Sequence, residues 1–268
     1  MTQMIRSVAG ERKDAARHQR GFTLIELSIV LTIIGLIVGG ILKGQELINN
    51  AKIKSQVAQV DTIKSAIYTF QDKYSYLPGD YNSPSNLGWT AGTSLGDGNG
   101  YIGTVTAGSG TSATTAGAIT DSVSVDNSEA VAVWPELTAA NLLGGYTLTV
   151  ATSTVTAGTL SIATTGTLPA KFAGGDFLWL ASFTVTPPGG SAQTNLMLRL
   201  QSGTGTPSAA VKRPDMISLD SKYDDGLPGS GSIIVGSSSS TTDCAASNAY
   251  VSTGNATTYS CIPFFSMQ

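Results

Sequence analysis

Residues 22–42 hold one formal charge in 21 positions, the carboxylate of Glu26. As a helix this run is about 31 Å long, enough to cross a bilayer core of about 30 Å. A carboxylate placed in hydrocarbon costs free energy and calls for a cationic partner. No other charged side chain lies within the run, so the helix by itself offers Glu26 none and the partner is expected from outside the chain.

The flanks separate this segment from simpler ones. A secretory signal peptide has an apolar core of about 7–15 residues followed by a small-x-small cleavage site. Here the core is longer, and Lys43-Gly44-Gln45-Glu46 follows it. A plain membrane anchor accounts for the length but not for Glu26 or for the Gly21-Phe22 junction on the leader side. Residues 1–21 carry Arg6, Arg12, Lys13, Arg17 and Arg20 against Glu11 and Asp14, a bias that keeps a leader cytoplasmic and turns the remainder outward. The rest of the chain has 10 basic against 16 acidic side chains and no basic patch, so nucleic acid is not predicted as a partner.

The run Gly21-Phe22-Thr23-Leu24-Ile25-Glu26-Leu27 resembles the cleavage and methylation motif of type IV prepilins and type II secretion pseudopilins. The resemblance implies that prepilin peptidase cuts between Gly21 and Phe22 and that Phe22 becomes the N-methylated first residue. Glu26 is then the fifth residue of the cut chain, and the family pattern pairs it with the terminal amine of a neighbouring subunit during assembly. The implied location is the bacterial inner membrane as a single-pass precursor, with the leader cytoplasmic and the head outside. A periplasmic pseudopilus or an extracellular pilus would follow. The implied partners are the peptidase, copies of the chain, other pilins and an inner-membrane assembly platform. Many major pilins carry a helix-kinking proline near position 43; this chain has none, and Gly35, Gly39, Gly40 and Gly44 are the residues available to loosen the helix.

Beyond the apolar run, Ile53, Val57, Val60, Ile63, Ile67, Phe70 and Tyr74 recur at spacings of three and four, the stripe of an amphipathic helix that packs on a domain. Lys52, Lys54, Lys64 and Lys73 with Glu46, Asp61 and Asp72 read as its solvated face. Leu77-Pro78-Gly79-Asp80 stops it. The expectation is one long helix, with two helices hinged near Gly44 as the alternative. The organisation read from these signals is a leader at 1–21, a transmembrane or filament-core helix at 22–44, a spine helix at 45–76 and a globular head at 77–268. The fold class is α+β: the long helix packed on an antiparallel sheet, as in pilins.

The head is rich in Gly, Ser, Thr and Ala. Residues 101–125 and 146–167 alternate Thr or Ser with aliphatic residues and read as strands and loops, with a low-complexity loop at 107–118. Residues 177–185 and 194–200 flank Pro187-Pro188-Gly189-Gly190 and predict a hairpin of central strands. Residues 128–143 read as a helix with cap candidates at 126–128, a kink or restart at Pro135 and a stop at Gly144-Gly145. Tyr74 to Asp80, the turn Gly96-Asp97-Gly98-Asn99-Gly100, Glu129 through Gly144, and the acidic turn at 219–231 resemble heads of prepilin-like proteins.

Some pseudopilins hold calcium in a head loop, and Asp220, Asp224 and Asp225 are the candidate ligands here; Asp97 and Asn99 are a weaker pair. Lys222 among the three acids, and the ordinary turn chemistry of Asp-Asp-Gly, argue against it. No other cofactor is implied. Cys244 and Cys261 lie 17 positions apart, and an outward, oxidising location predicts a disulfide between them. The only histidine is His18, in the leader, so the cut chain has none for a catalytic triad. The glycine-rich turn at 96–100 lacks the Lys-Ser/Thr ending of a phosphate-binding loop. An enzyme is not expected. Two functional classes stand: a structural subunit of a pilus-like filament, or a minor tip pilin or pseudopilin that recognises a surface, DNA or a secreted substrate.

Overall fold

The computed structural model describes residues 21–88, 96–103, 119–120, 129–144, 168–171, 176–202, 208–236, 244–252 and 259–268. The leader, the loop expected at 107–118, nearly all of the two Thr-rich alternating regions and the cap candidates at 126–128 lie outside them. In chain order the helices are α1 (Leu24–Tyr74), α2 (Val133–Ala139) and α3 (Arg213–Tyr223). The strands are β1 (Ile119–Thr120), β2 (Leu168–Pro169), β3 (Asp176–Val185), β4 (Gln193–Ser202), β5 (Val211–Lys212), β6 (Ile233–Val235), β7 (Ala245–Ala246), β8 (Ala249–Tyr250), β9 (Tyr259–Cys261) and β10 (Pro263–Ser266). The architecture is thus a long N-terminal helix and a largely antiparallel sheet domain, as the sequence predicts.

The chain divides into two compact units, residues 1–47 and 48–268. In the first, α1 opens at Leu24, and its apolar side chains from Leu24 to Leu47 are exposed. It is the one helix among the described residues that is long and apolar enough to cross a membrane. The helical assignment is unbroken at Gly35, Gly39, Gly40 and Gly44, so the break considered near Gly44 is not present. Glycine costs about 1 kcal/mol relative to alanine in a helix, a penalty that many good neighbouring formers absorb.

In the second unit, Ile53, Val60, Ile63, Ile67 and Phe70 are buried, and Val57 and Tyr74 pack partly buried against the same core. The stripe read from the sequence is the face that packs. Two buried polar residues interrupt it. Gln56 accepts the Lys171 amide (2.7 Å), and Gln59 donates to the Pro169 carbonyl (2.9 Å), so both satisfy backbone groups beside the short strand β2. The helix stops where Ser75 turns to φ 60°, ahead of Pro78.

The main sheet has the order β1-β3-β4-β10-β6, with β2 also on β3. β3 and β4 form the expected hairpin, antiparallel over ten residue pairs from Asp176 opposite Ser202 to Val185 opposite Gln193. β10 pairs antiparallel with β4 and β6, while β1 runs parallel to β3. Leu178, Trp179, Leu180, Ala181, Ser182 and Phe183 are consecutive and all buried, so β3 is covered on both faces. That is why its sequence is a continuous apolar run rather than an alternation. Arg199 is buried from β4, with its guanidinium 4.7 Å from the ring centre of Phe183.

The helix expected at 128–143 is shorter and differently bounded. A 3-10 turn at Glu129–Val131 precedes α2, which restarts at Val133, and Pro135 sits in the first turn of α2, where its missing N–H costs no hydrogen bond. The stop is Asn141, not the Gly144-Gly145 pair. Asn141 adopts φ 58°, its amide donates to the Thr138 carbonyl and the Leu142 amide to the Leu137 carbonyl, both at 3.0 Å, which is the Schellman arrangement. The late acidic turn is also more than a turn. Asp220 lies inside α3, a helix not anticipated, and only Asp224 and Asp225 follow its end.

Candidate functional site

Gly21, Phe22 and Thr23 precede the first helical turn, and Phe22 is exposed. Thr23 is the N-cap and Glu26 the third helical residue. The Glu26 carboxylate accepts the Thr23 amide and the Thr23 hydroxyl, both at 2.8 Å, and the Thr23 hydroxyl oxygen accepts the Glu26 amide at 3.3 Å. This is a reciprocal capping box, which satisfies orphan donors at a helix start and places a negative charge where the helix dipole favours it. The expectation that the helix offers Glu26 no partner is corrected by these bonds. Thr23 supplies neutral donors to the carboxylate, though no positive charge. The bonds turn the carboxylate back along the chain, to the amide one residue beyond the Gly21–Phe22 peptide bond. A threonine followed three residues later by glutamate, at the head of an apolar run, is the sequence signal for this box.

Residues 16–42 match the family model of the prokaryotic N-terminal methylation motif. That motif is characteristic of the type IV prepilins and pseudopilins, and with the exposed apolar helix it fits a membrane-anchored precursor that prepilin peptidase processes. No curated protein and no solved structure matches the chain.

The two cysteines are buried and joined, Cys244 to Cys261 with Cα atoms 5.2 Å apart. The bridge ties the β7–β8 hairpin to β9, which itself pairs with β5.

Asp220, in the last turn of α3, comes together with Asp224 and Asp225 just beyond it, with oxygens within 4.8 Å of one another. Lys222, read as sitting among them, instead donates to Asn50 on α1 at 2.6 Å. Five of the six carboxylate oxygens accept protein donors. Asp220 takes the Tyr250 hydroxyl (2.6 Å) and the Gly226 amide (3.2 Å), Asp224 the Ile233 amide (2.6 Å), and Asp225 the Leu227 amide (2.8 Å) and the Ser230 hydroxyl (2.6 Å). Calcium asks for six to eight oxygens turned on one centre. Here three carboxylates come close together, and their oxygens also accept the hydroxyls and amides that close the turn. Burial raises the Asp220 carboxyl above its ordinary value, against the pull of Tyr250 and Gly226. Burial and the Asp220 hydrogen bond raise the Tyr250 phenol in turn.

A second set of acids was not picked out by the sequence reading. Asp80, Glu129 and Glu136 are each 1% exposed. Asp80 accepts the amides of Gly98 (2.7 Å), Asn99 (3.0 Å) and Gly100 (2.8 Å). Glu129 accepts those of Asp97 (3.2 Å) and Gly103 (2.8 Å), and Glu136 accepts Gly79 (2.6 Å) while its Oε1 has no hydrogen-bond partner among the described residues. Glu129 and Glu136 therefore fasten Gly79, Asp97 and Gly103 to the 3-10 turn and α2, and Asp80 fastens residues 98–100. The glycines of the 96–100 turn answer to this. Gly98 and Gly100 hold φ 77° and 88°, and a Cβ on Gly96 would lie 2.5–2.6 Å from backbone atoms of Asp80 and Tyr81. Asp97 and Asn99, the weaker metal pair, hydrogen-bond each other (2.9 and 3.0 Å). Burial, with the neighbouring carboxylates adding to it, pushes Glu129 and Glu136 up to about 8, and burial raises Asp80 as well.

Proposed function

We propose that this chain is a structural subunit of a type IV pilus-like filament, cleaved after Gly21, N-methylated on Phe22 and assembled through its apolar N-terminal helix. The observation that carries the reading is the junction itself: a matched methylation motif followed by an exposed apolar helix whose carboxylate turns back toward the cut site. Hydrolysis of the Gly21–Phe22 bond creates an amine one residue from Thr23. The Thr23 hydroxyl and amide bring no positive charge to the carboxylate, and an ammonium group from a neighbouring copy adds a Coulombic attraction that strengthens once both leave water. The exposed aliphatic surface of α1 exchanges lipid for the helices of sibling subunits.

Glu26→Ala tests this in the native cell. The variant is expected to be cut after Gly21 and to stay in the membrane without entering filaments. Normal filaments from it, or a wild-type protein that keeps its first 21 residues, would overturn the proposal.

A further inference from the structure

The second unit carries a groove of about 420 Å³ between α1, β4 and the segment around Tyr101. We propose that this groove binds a neutral, hydroxyl-rich ligand, a saccharide unit of a surface glycan.

Its chemistry excludes other ligand classes. Among the described residues no Asp, Glu, Lys or Arg lines it, and the ammonium of Lys64 beside it is engaged by the Gln268 carbonyl, so its lining does not favour a phosphate, a nucleic acid or a sulfated chain. Its aliphatic lining is Ile67, Leu77, Leu196 and Met267, of which Ile67 and Met267 are almost fully buried, and this is little surface for a lipid or an apolar peptide side chain. β3 pairs one edge of β4 along its whole length, and β10 with the Met267 amide takes the other from Leu196 to Arg199, so only residues 193–195 are left open at the groove, shorter than the usual strand of about five or six residues that an added peptide would form. What remains is amide and aromatic chemistry. Gln71, Asn195 and Gln268 line the groove, and among the described residues none of their side-chain amides has a hydrogen-bond partner. Each offers one acceptor and two donors, the set that reads adjacent hydroxyl groups. Tyr68 and Tyr101 stand at its rim, 47% and 45% exposed. Tyrosine supplies a rigid amphipathic face at low entropic cost, and amides beside it supply adaptable hydrogen bonds, the composition of recognition surfaces in general. The volume falls in the range of small-molecule sites.

The walls are fixed rather than loose. The Tyr68 hydroxyl donates to the Met267 carbonyl at 2.7 Å, and Lys64 donates to the Gln268 carbonyl at 2.8 Å. Tyr101 is held between Gly100, whose amide is on Asp80, and Ile102. The Ile102 amide donates to the Ser182 hydroxyl (3.0 Å), and its carbonyl accepts the Ser182 amide (2.9 Å). The buried acids thus set the position of one wall of the groove.

The test uses the full-length protein in a detergent without a sugar headgroup, passed over immobilised neutral oligosaccharides, sulfated and sialylated glycans, and unrelated peptides. Retention on one or more neutral saccharides is expected. Tyr101→Ala and Gln71→Ala should each weaken it about three- to tenfold, the worth of one aromatic or hydrogen-bonded contact, with circular dichroism and the disulfide unchanged. On the unmodified protein, the retained saccharide in solution should slow nitration of Tyr101, read by mass spectrometry. No neutral saccharide retained, retention indifferent to both substitutions, unprotected Tyr101, or preference for charged glycans or peptides would each overturn the proposal. Glu26→Ala should bind saccharide normally, so failure of the groove and failure of the filament reading are separately visible.

Discussion

Replacing Glu136 by glutamine keeps the shape of the side chain and its acceptor for the Gly79 amide, and removes only its titration. The buried carboxyl is raised from an ordinary 4.5 up to about 8, first by burial and then by the charges of Asp80 and Glu129, against the lowering effect of Gly79. The folded state therefore holds this proton more tightly than the unfolded chain does. Its contribution to stability is fully present below about pH 4.5, declines as pH rises, and is gone above about 8. Within that window one group of this kind contributes a slope of about 1.4 kcal/mol per pH unit. For a domain of this size that is a fall of about 3–6 °C in Tm per pH unit. Thermal unfolding of the full-length protein in neutral detergent from pH 5 to 8.5, followed by near-ultraviolet circular dichroism, reads the slope. Wild type should lose stability steadily over this range, with Glu129 adding to the fall. Glu136→Gln should flatten the profile by about one group's share and cross above wild type at the alkaline end. Glu136→Ala should show the same flattened slope but lie below Glu136→Gln at every pH by about 1–3 kcal/mol, because it also strands the buried Gly79 amide. Parallel profiles for wild type and Glu136→Gln would refute the account of a protonated buried carboxyl.

Cys261→Ser opens a loop of 17 positions and is expected to cost about 3 kcal/mol, visible as a lowered Tm and matched by reduction of the wild-type bridge; a reduced protein as stable as the oxidised one would contradict this. Gly96→Ala drives a methyl group into the Asp80 and Tyr81 backbone and should destabilise by about 1–3 kcal/mol in denaturant unfolding, while alanine at Gly144, where a Cβ meets nothing within 4 Å, should not. Chelation should leave the melting curve unchanged, since the oxygens of Asp220, Asp224 and Asp225 are turned on protein donors; a rise of more than about 2 °C on adding calcium would reverse that assignment.

Patterns that repeat were legible in the sequence. The apolar run at 22–42 and the stripe from Ile53 to Tyr74 each spread one signal over many residues, and the paired runs around residues 187–190 marked β3 and β4 with the turn between them. The misses share a different cause. Asn141 ends α2 because its own backbone adopts φ 58°, an option that a glycine pair three residues later obscured. The helix α3 has no clear apolar stripe: it buries Arg213 and Asp220 together with Met216 and Leu219, so periodicity passes over it. The buried acids were hidden more deeply. Asp80, Glu129 and Glu136 lie up to 56 positions apart, and what unites them is the set of backbone amides at residues 79, 97–100 and 103, which no side-chain pattern announces. One indirect sign was present. A turn with glycine at 96, 98 and 100 is expensive to order by itself, since glycine loses the most freedom on folding. Such a turn persists only where something outside it takes up its amides, and acceptors with two lone-pair-rich oxygens do so best. An acidic residue just past the end of a spine helix, and two more at helical spacing beside a buried tryptophan, are then the places to look.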